Sequence, residues 1–185
     1  YQAFLNQEEY NSMIDDSWIL LGKSEFHKAD FLAAVGTFTY ITHHFSSNKE
    51  VVAEALLWLA RSYAEMGWYY EAEDVLNNKL NRDDFTKQQT IFFAAINADL
   101  MLKEKRYNEA IPFLQLAADG EKDKRQKERF EYILGQLYQQ KGDKEQAFLK
   151  YKSVTKSNPP FKMAFNARIK QTECYGGSDK DAMFK

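Results

Sequence analysis

The sequence predicts an all-α protein built from a repeated pair of antiparallel helices, and three observations lead to this prediction. Three Pro and eight Gly in 185 residues are too few for the frequent turns of an all-β protein. Apolar residues recur at spacings of three and four, which places them on one face of a helix. The same pattern then returns after 38, 38 and 37 residues. A fixed period of this length is typical of stacked helical hairpins.

The period is clearest in four alanines that each follow a tight turn: Ala34, Ala72, Ala110 and Ala147. An amphipathic helix is predicted before each turn and a second one after it. Each first helix also carries one small residue in its apolar face: Gly22, Ala60, Ala98 and Gly135. Gly costs about 1 kcal/mol relative to Ala inside a helix. We therefore expect two helices to cross closely at these positions, with the alanines on the other side of the contact.

Polar residues at the turns indicate where the second helices begin. Asp30, Asn108 and Asp143 belong to the residue types that accept hydrogen bonds from the first backbone amides of a helix. We expect each of the three to cap a second helix.

The period divides the chain into four repeats: 15–46, 53–84, 91–122 and 128–159. Residues 1–14 are predicted to be the last helix of a preceding repeat. Residues 160–175 are predicted to be a capping helix or the start of a fifth repeat, and 176–185 a loose tail. The chain begins at Tyr1 rather than at Met, so we expect it to be a piece of a longer or processed protein. Because both ends carry partial repeats, we expect both to be cut from a longer array.

These motifs resemble the tetratricopeptide repeat family. The second pair matches most fully, with Leu59-Ala60, Tyr63 and the turn Gly67-Trp68-Tyr69; the third departs most, with Asn97-Ala98 and a Lys105-Arg106 turn. The resemblance implies an α-α superhelix, a right-handed solenoid of stacked antiparallel helix pairs, and a role in protein binding. Because the family repeat has about 34 residues, loops or helix ends must absorb the additional residues.

Charge and composition exclude several classes of partner. The chain has 25 Lys and Arg against 27 Asp and Glu, a net charge of −2, so no strong field favours nucleic acid. No apolar stretch reaches the 18 to 20 residues of a transmembrane helix. A single cysteine, Cys174, excludes an internal disulfide and a multi-cysteine metal site. A single cysteine does not show whether the protein is cytoplasmic or exported.

The sequence has none of the common signatures of catalysis. It contains no Gly-rich phosphate loop, no Gly-x-Ser-x-Gly elbow and no His-Glu-x-x-His motif. The adjacent His43 and His44 would point about 100° apart on a helix and could not easily share a metal. We therefore predict neither a cofactor nor an enzymatic activity for this chain. An enzyme whose catalytic domain lies elsewhere in a longer protein is an alternative.

The tetratricopeptide resemblance implies that partners lie against the first helix of each pair, on the concave face of the array. The residues predicted to contact them are Lys23, Phe26, His27, Leu57, Trp58, Arg61, Asp99, Arg129, Tyr132 and Gln136; Glu65 and Phe92 share this face. Trp58, Arg61 and Tyr132 are the preferred anchors because aromatic residues and Arg dominate interface energetics.

Two alternatives qualify that site. Trp58 could instead pack between adjacent repeats. The Lys and Asn arrangement with which chaperone-type repeats hold a terminal carboxylate is not reproduced, since Lys23 is followed by Arg61 and Asp99 at the equivalent positions. A partner's carboxyl terminus is therefore not predicted as the ligand. Other proteins or extended peptides are expected, with their identity and the oligomeric state left open.

Residues 15–23 and 158–169 resemble a narrower group, the large tetratricopeptide lipoproteins of Bacteroidetes of the SprE/PorW type. This resemblance implies a periplasmic scaffold of type IX secretion and gliding motility, held at the outer membrane by an N-terminal lipid outside the present chain. The alternative is a cytoplasmic adaptor or a co-chaperone-like module that binds peptides.

Overall fold

A computed structural model describes residues 13–83 and 85–174, and these residues are helical with no strand among them. The described residues form nine α-helices: α1 (Ile14–His27), α2 (Phe31–His44), α3 (Lys49–Glu65), α4 (Tyr69–Asp74), α5 (Lys87–Lys103), α6 (Tyr107–Gly120), α7 (Lys124–Lys141), α8 (Lys144–Lys156) and α9 (Phe161–Cys174). The predicted all-α class is confirmed. The tail predicted over 176–185, and the helix predicted over 1–14 apart from its last two residues, lie outside the described residues.

The chain divides into two compact units, the first ending at Leu100 and the second beginning at Met101. In the first unit α1 packs on α2, α2 on α3, and α3 on α4. In the second unit α6 packs on α7, α7 on α8, and α8 on α9. Within each unit, successive helices therefore pack as short-looped hairpins.

The four hairpin turns share one backbone conformation. A residue with positive φ ends the first helix of each pair: Ala29 (62°), Gly67 (78°), Lys105 (62°) and Gly142 (86°). The amide of the next residue donates to a carbonyl five residues earlier, as from Asp30 to Glu25 at 3.0 Å and from Asp143 to Tyr138 at 2.9 Å. This is the Schellman motif, which satisfies the last carbonyls of a helix.

The predicted caps are partly correct. Asp30 accepts from the amide of Ala33 at 3.2 Å and Asp143 from that of Gln146 at 3.1 Å. The prediction for Asn108 is wrong, because α6 already begins at Tyr107 and Asn108 lies inside it. Arg106 precedes α6, and its guanidinium contacts Glu104 and Glu109.

The additional residues of the long repeat lie in the first helices. α3 begins at Lys49, α5 at Lys87 and α7 at Lys124, in each case four residues before the predicted start of its repeat. Four residues add about one helical turn. Asn48 and Asp123 cap the extended α3 and α7 by accepting from the amides of Val51 and Gln126.

The close contacts at the small residues differ from the expectation. A Cβ at Gly22 would lie 2.6 Å from the ring of Phe38, and one at Gly135 would lie 2.7 Å from the ring of Tyr151. The nearest neighbours are thus aromatic rings sixteen residues further along the chain, and not Ala34 and Ala147. A ring fits because the first helix has no side chain at that point.

Two local features were not expected from the periodicity. α4 passes into a π-helical turn over Val75–Lys79, where the helical segment ends. α6 continues through Pro112, whose missing amide removes one hydrogen bond from the helix. Burial of Ala110, Ile111 and Leu114 around it keeps this segment packed in its unit.

Candidate functional site

In the first unit, the first helices of three successive pairs place cationic and aromatic side chains around Trp58. We call this group the Trp58 cluster; it consists of Lys23, Phe26 and His27 on α1, Glu54, Trp58 and Arg61 on α3, and Phe92 on α5. The Trp58 ring centroid lies 5.2 Å from that of Phe26, 5.8 Å from that of His27 and 5.0 Å from that of Phe92. Side chains of α1 and α5 therefore both contact the Trp58 ring of α3.

The guanidinium of Arg61 lies against three of these rings. Its central carbon is 4.8 Å from the Phe26 centroid, 5.0 Å from that of Trp58 and 5.7 Å from that of Phe92. Cation–π contacts of this kind hold a guanidinium in place without using its N–H groups. Among the described residues, Arg61 has no side-chain hydrogen-bond partner, and its nitrogens are not sealed from water. Its fork of five donors is therefore positioned by rings and available to a ligand.

Arg61 is charged despite its partial burial. Desolvation lowers the pKa of Arg61, and the nearby negative charges of Asp99 and Glu65 act in the opposite direction. An arginine guanidinium is too basic to lose its proton in a protein, so Arg61 carries its positive charge.

Lys23 and Glu54 form the other charged pair of the cluster. The Lys23 ammonium forms an ion pair with the Glu54 carboxylate, and its nitrogen lies 5.6 Å from the Trp58 centroid. Lys23 thus connects α1 to α3, and its charge is balanced within the cluster.

The cluster unites most of the site residues predicted in the first unit, but their burial differs. Phe26 is 7% exposed and Trp58 9%. The surroundings of Trp58 are therefore those of the alternative in which it packs between adjacent repeats. Leu57 is 0% exposed. Leu57 therefore lies in the core of its unit, and the expectation that it contacts a partner stays a prediction. His27 is exposed, and Lys23, Arg61 and Asp99 are half-buried.

The remaining predicted residues lie on α7 in the second unit. Arg129 and Gln136 are exposed, and Tyr132 is half-buried. The Tyr132 ring packs edge-on against Tyr151, with centroids 5.7 Å apart, beside a buried cluster that includes Val154 and Cys174. Tyr132 therefore contributes to packing as well as to the surface of its unit.

Burial also alters the ionisation of this second cluster. Loss of solvation raises the pKa of Tyr151, whose hydroxyl donates to Gln139 Oε1 at 3.0 Å. It likewise raises the pKa of the Cys174 thiol, which is 4% exposed. Both groups are therefore held in their neutral forms at neutral pH.

Glu54 is not among the site residues that the sequence predicts. It precedes Trp58 by four residues and Arg61 by seven, a spacing that places all three on one face of α3. That spacing was the available signal. The pairing of Glu54 with Lys23 depends on the packing of α1 against α3, which the spacing alone does not specify.

Two other kinds of site are absent from the residues that the structure describes. No group of three or more His, Cys, Asp or Glu side chains in residues 13–83 and 85–174 could hold a metal ion. None of the helices in these ranges is both long enough and apolar enough to cross a bilayer.

Comparisons with known proteins agree on a helical-repeat fold. Residues 132–161 match the tetratricopeptide repeat model. A solved structure described as the MamA RS-1 ArsTM double mutant is 16% identical, with a TM-score of 0.60, covering 86% of this chain and 93% of that one. A second, a crystal structure of MamA protein, is 18% identical, with a TM-score of 0.55, covering 89% of this chain and 87% of that one. No curated protein matches the sequence. The chain therefore contains a tetratricopeptide repeat at residues 132–161 and has a helical-repeat fold of the tetratricopeptide type.

Proposed function

We propose that this chain is a protein–protein interaction scaffold and that its first unit binds a partner through the Trp58 cluster. The observation that supports this proposal is the state of Arg61. Its guanidinium is held by three rings while its N–H groups have no protein acceptor among the described residues.

The physical advantage of this arrangement is preorganisation. A long side chain usually loses about 0.5–1.5 kcal/mol of rotamer freedom when it is immobilised in an interface. The rings around Arg61 restrict its rotamers before binding, so less of that cost remains. Arg on a desolvated aromatic surface also has the composition of an interface hot spot.

Site-specific photocrosslinking tests this proposal. A benzophenone amino acid is introduced at His27, which is exposed beside Trp58, and in a control protein at His43, which is exposed on α2. In cells of the source organism, we expect a crosslinked partner from position 27 and a different or absent product from position 43.

A pair of substitutions completes the test. Arg61→Ala should abolish the crosslink from position 27. Arg82→Ala should leave it intact, because Arg82 also lies over a ring, Phe93 at 5.4 Å, but outside the cluster. An identical product from both positions, or one that persists in Arg61→Ala, would contradict a binding role for the cluster.

We further propose that this scaffold belongs to a periplasmic lipoprotein of the type IX secretion and gliding machinery. The support is the resemblance of residues 15–23 and 158–169 to that group. Metabolic labelling of the intact gene product with radioactive palmitate, followed by membrane fractionation, tests it. Label in the outer-membrane fraction is expected; an unlabelled product in the cytoplasm would favour the adaptor or co-chaperone alternative.

A further inference from the structure

We propose that the outward face of α9 is a docking surface for an acidic amphipathic helix of a partner protein. This surface lies in the second unit and does not involve the Trp58 cluster. An exposed apolar stripe supports the docking of a helix. Two cations without a carboxylate partner among the described residues support its acidic character.

Three large apolar side chains of α9 are exposed along one line of the helix. Phe161 is 86% exposed, Phe165 55% and Ile169 42%, and we call these three residues the Phe161 stripe. Their spacing of four residues keeps them within about 80° of one another. The buried residues of α9, Ala167 and Cys174, lie on the opposite face, where α9 packs on α8. Because a surface helix normally carries polar residues away from the core, α9 has the pattern of a helix with a partner on each side.

The geometry of the Phe161 stripe suits a single docked helix. The rings of Phe161 and Phe165 stack with centroids 6.2 Å apart and 20° between their planes. Because each ring restricts the other, less side-chain freedom is lost on docking. The stripe presents roughly 350 Å² of apolar surface. Each partner in a typical stable complex contributes about 800 Å², so the stripe fits the smaller contact of an amphipathic helix.

Two cations beside the stripe determine the charge of the partner. Lys162 and Arg168 are exposed and lie on opposite sides of the stripe. Neither forms an ion pair within residues 13–83 and 85–174. Glu173 is the one acidic residue of α9, and it already pairs with Lys170 at 2.8 Å. A helix with Asp or Glu beside its apolar positions would therefore complement Lys162 and Arg168.

The stripe differs from the surface that receives the second helix in two of the hairpins. There, a glycine of the first helix leaves a gap for a ring: a Cβ at Gly22 would lie 2.6 Å from Phe38, and one at Gly135 would lie 2.7 Å from Tyr151. The Phe161 stripe consists of bulky side chains and contains no small residue. It therefore presents rings where those hairpins present a gap, which does not favour a further helix of the same array.

Charge disfavours a second copy of the chain on this surface. Lys162 and Arg168 each lie three residues from Phe165. An antiparallel contact between two α9 helices, centred on Phe165, would place Lys162 of one copy opposite Arg168 of the other. Like charges across an interface repel each other. The stripe therefore favours a different protein, which supplies the negative charge.

A display selection tests the surface and its charge preference. The probe is a library of helical peptides about five turns long, with a constant apolar stripe and flanking positions randomised among Glu, Gln and Lys. We expect the full chain to select peptides that gain Glu and lose Lys at the flanks. A bait with F161S/F165S should lose the selection. A bait with Leu149→Ser should preserve it, because Leu149 is also 49% exposed but lies on α8.

Reversing the two cations tests their role directly. The best selected peptide is labelled and titrated against each protein by fluorescence anisotropy. Its affinity for K162E/R168E should fall about tenfold, and a Lys-flanked version of the peptide should bind this variant more tightly than the unchanged chain. K28E/K87E makes the same change in net charge at two exposed lysines of the first unit, and it should leave the affinity unchanged.

Several outcomes would overturn the proposed surface. They are a selection unaffected by F161S/F165S, enrichment of Lys at the flanks, no enrichment, and equal affinity for K162E/R168E. A dimer of the full chain that F161S/F165S abolishes in analytical ultracentrifugation would also overturn it, by assigning the stripe to a second copy. Arg61→Ala should not alter the selection, so the result is independent of the Trp58 cluster. Far-UV circular dichroism of each variant verifies that its fold is retained.

Discussion

Replacing Gly22 by Ala is expected to destabilise the first unit, whereas the same replacement at Gly36 is expected to stabilise it. Both glycines lie inside helices of one hairpin, and a Gly to Ala change in a helix gains about 1 kcal/mol from propensity alone. At Gly36 the new methyl group would meet nothing within 4 Å, so this gain should appear in full. The structure predicts the opposite sign at Gly22.

At Gly22 the new Cβ would lie 2.6 and 2.7 Å from two atoms of the Phe38 ring. Phe38 is 0% exposed and its ring stacks on Trp58 with centroids 6.2 Å apart, so it has little room to withdraw. Overpacking of this kind costs about 1–3 kcal/mol. After subtraction of the propensity gain, the net loss at Gly22 should be about 1 kcal/mol.

A double-mutant cycle with Phe38→Leu isolates the contact. The leucine alone should cost about 1–2 kcal/mol, because it leaves a cavity where the ring was. In its presence Gly22→Ala should no longer be destabilising, which corresponds to a coupling energy of about 2 kcal/mol. The chain offers a precedent, since Ala60 with Leu76 and Ala98 with Leu114 occur at the same sixteen-residue spacing and are all buried.

Tryptophan fluorescence during urea unfolding is the appropriate assay. The three tryptophans, Trp18, Trp58 and Trp68, all lie in the first unit, so the signal reports on that unit. Midpoints give the free energy differences when the slopes are unchanged. The reasoning would be refuted if Gly22→Ala were as stabilising as Gly36→Ala, or if the cycle showed no coupling.

Three further predictions concern the turns and the second unit. Lys105→Gly should raise stability by about 0.5–1 kcal/mol in thermal denaturation, because the lysine has a φ of 62° that disfavours side chains; a loss of stability would contradict this. Hydrogen bonds from Lys170 and Gln139 lower the pKa of Glu173, so the stability that this carboxylate contributes is present above its ordinary pKa and is lost as pH falls through the lowered value. Lys170→Met should raise the pKa of Glu173 in an NMR titration and weaken that acid dependence; an unchanged pKa would exclude the contact. The Cys174 thiol, buried and with a raised pKa, should react with a disulfide reagent much more slowly in the folded protein than in urea, and equal rates would show that the end of α9 is open.

The hairpins could be predicted from the sequence because their determinants are local. The turn signals at Asp30 and Asp143, the alanines after each turn and the three-to-four spacing of apolar residues all act within a few residues. The length of the first helices could not be obtained in this way. An added turn at Lys49 or Lys124 keeps the same helical period, and only the capping contacts of Asn48 and Asp123 show where each helix begins.

The helix face that carries the candidate site residues was predictable, and the burial of these residues was less so. Lys23, Arg61 and Asp99 follow the repeat spacing of 38 residues, which places them at equivalent positions of successive first helices. Whether Trp58 is exposed depends on Phe26 and Phe92, which approach it from the flanking helices. The role of Trp58 as a platform for Arg61, rather than an exposed anchor, therefore required the packing of three helices.

The sequence by itself determined the all-α class, the hairpin period and the helix face on which the charged and aromatic residues lie, because a helical face and a turn depend on neighbours in the chain. Only the tertiary structure decided which ring fills the space at Gly22, which cation is paired and which one keeps its donors available. These properties depend on distances between side chains sixteen to thirty-eight residues apart, and such distances are set by how the helices pack.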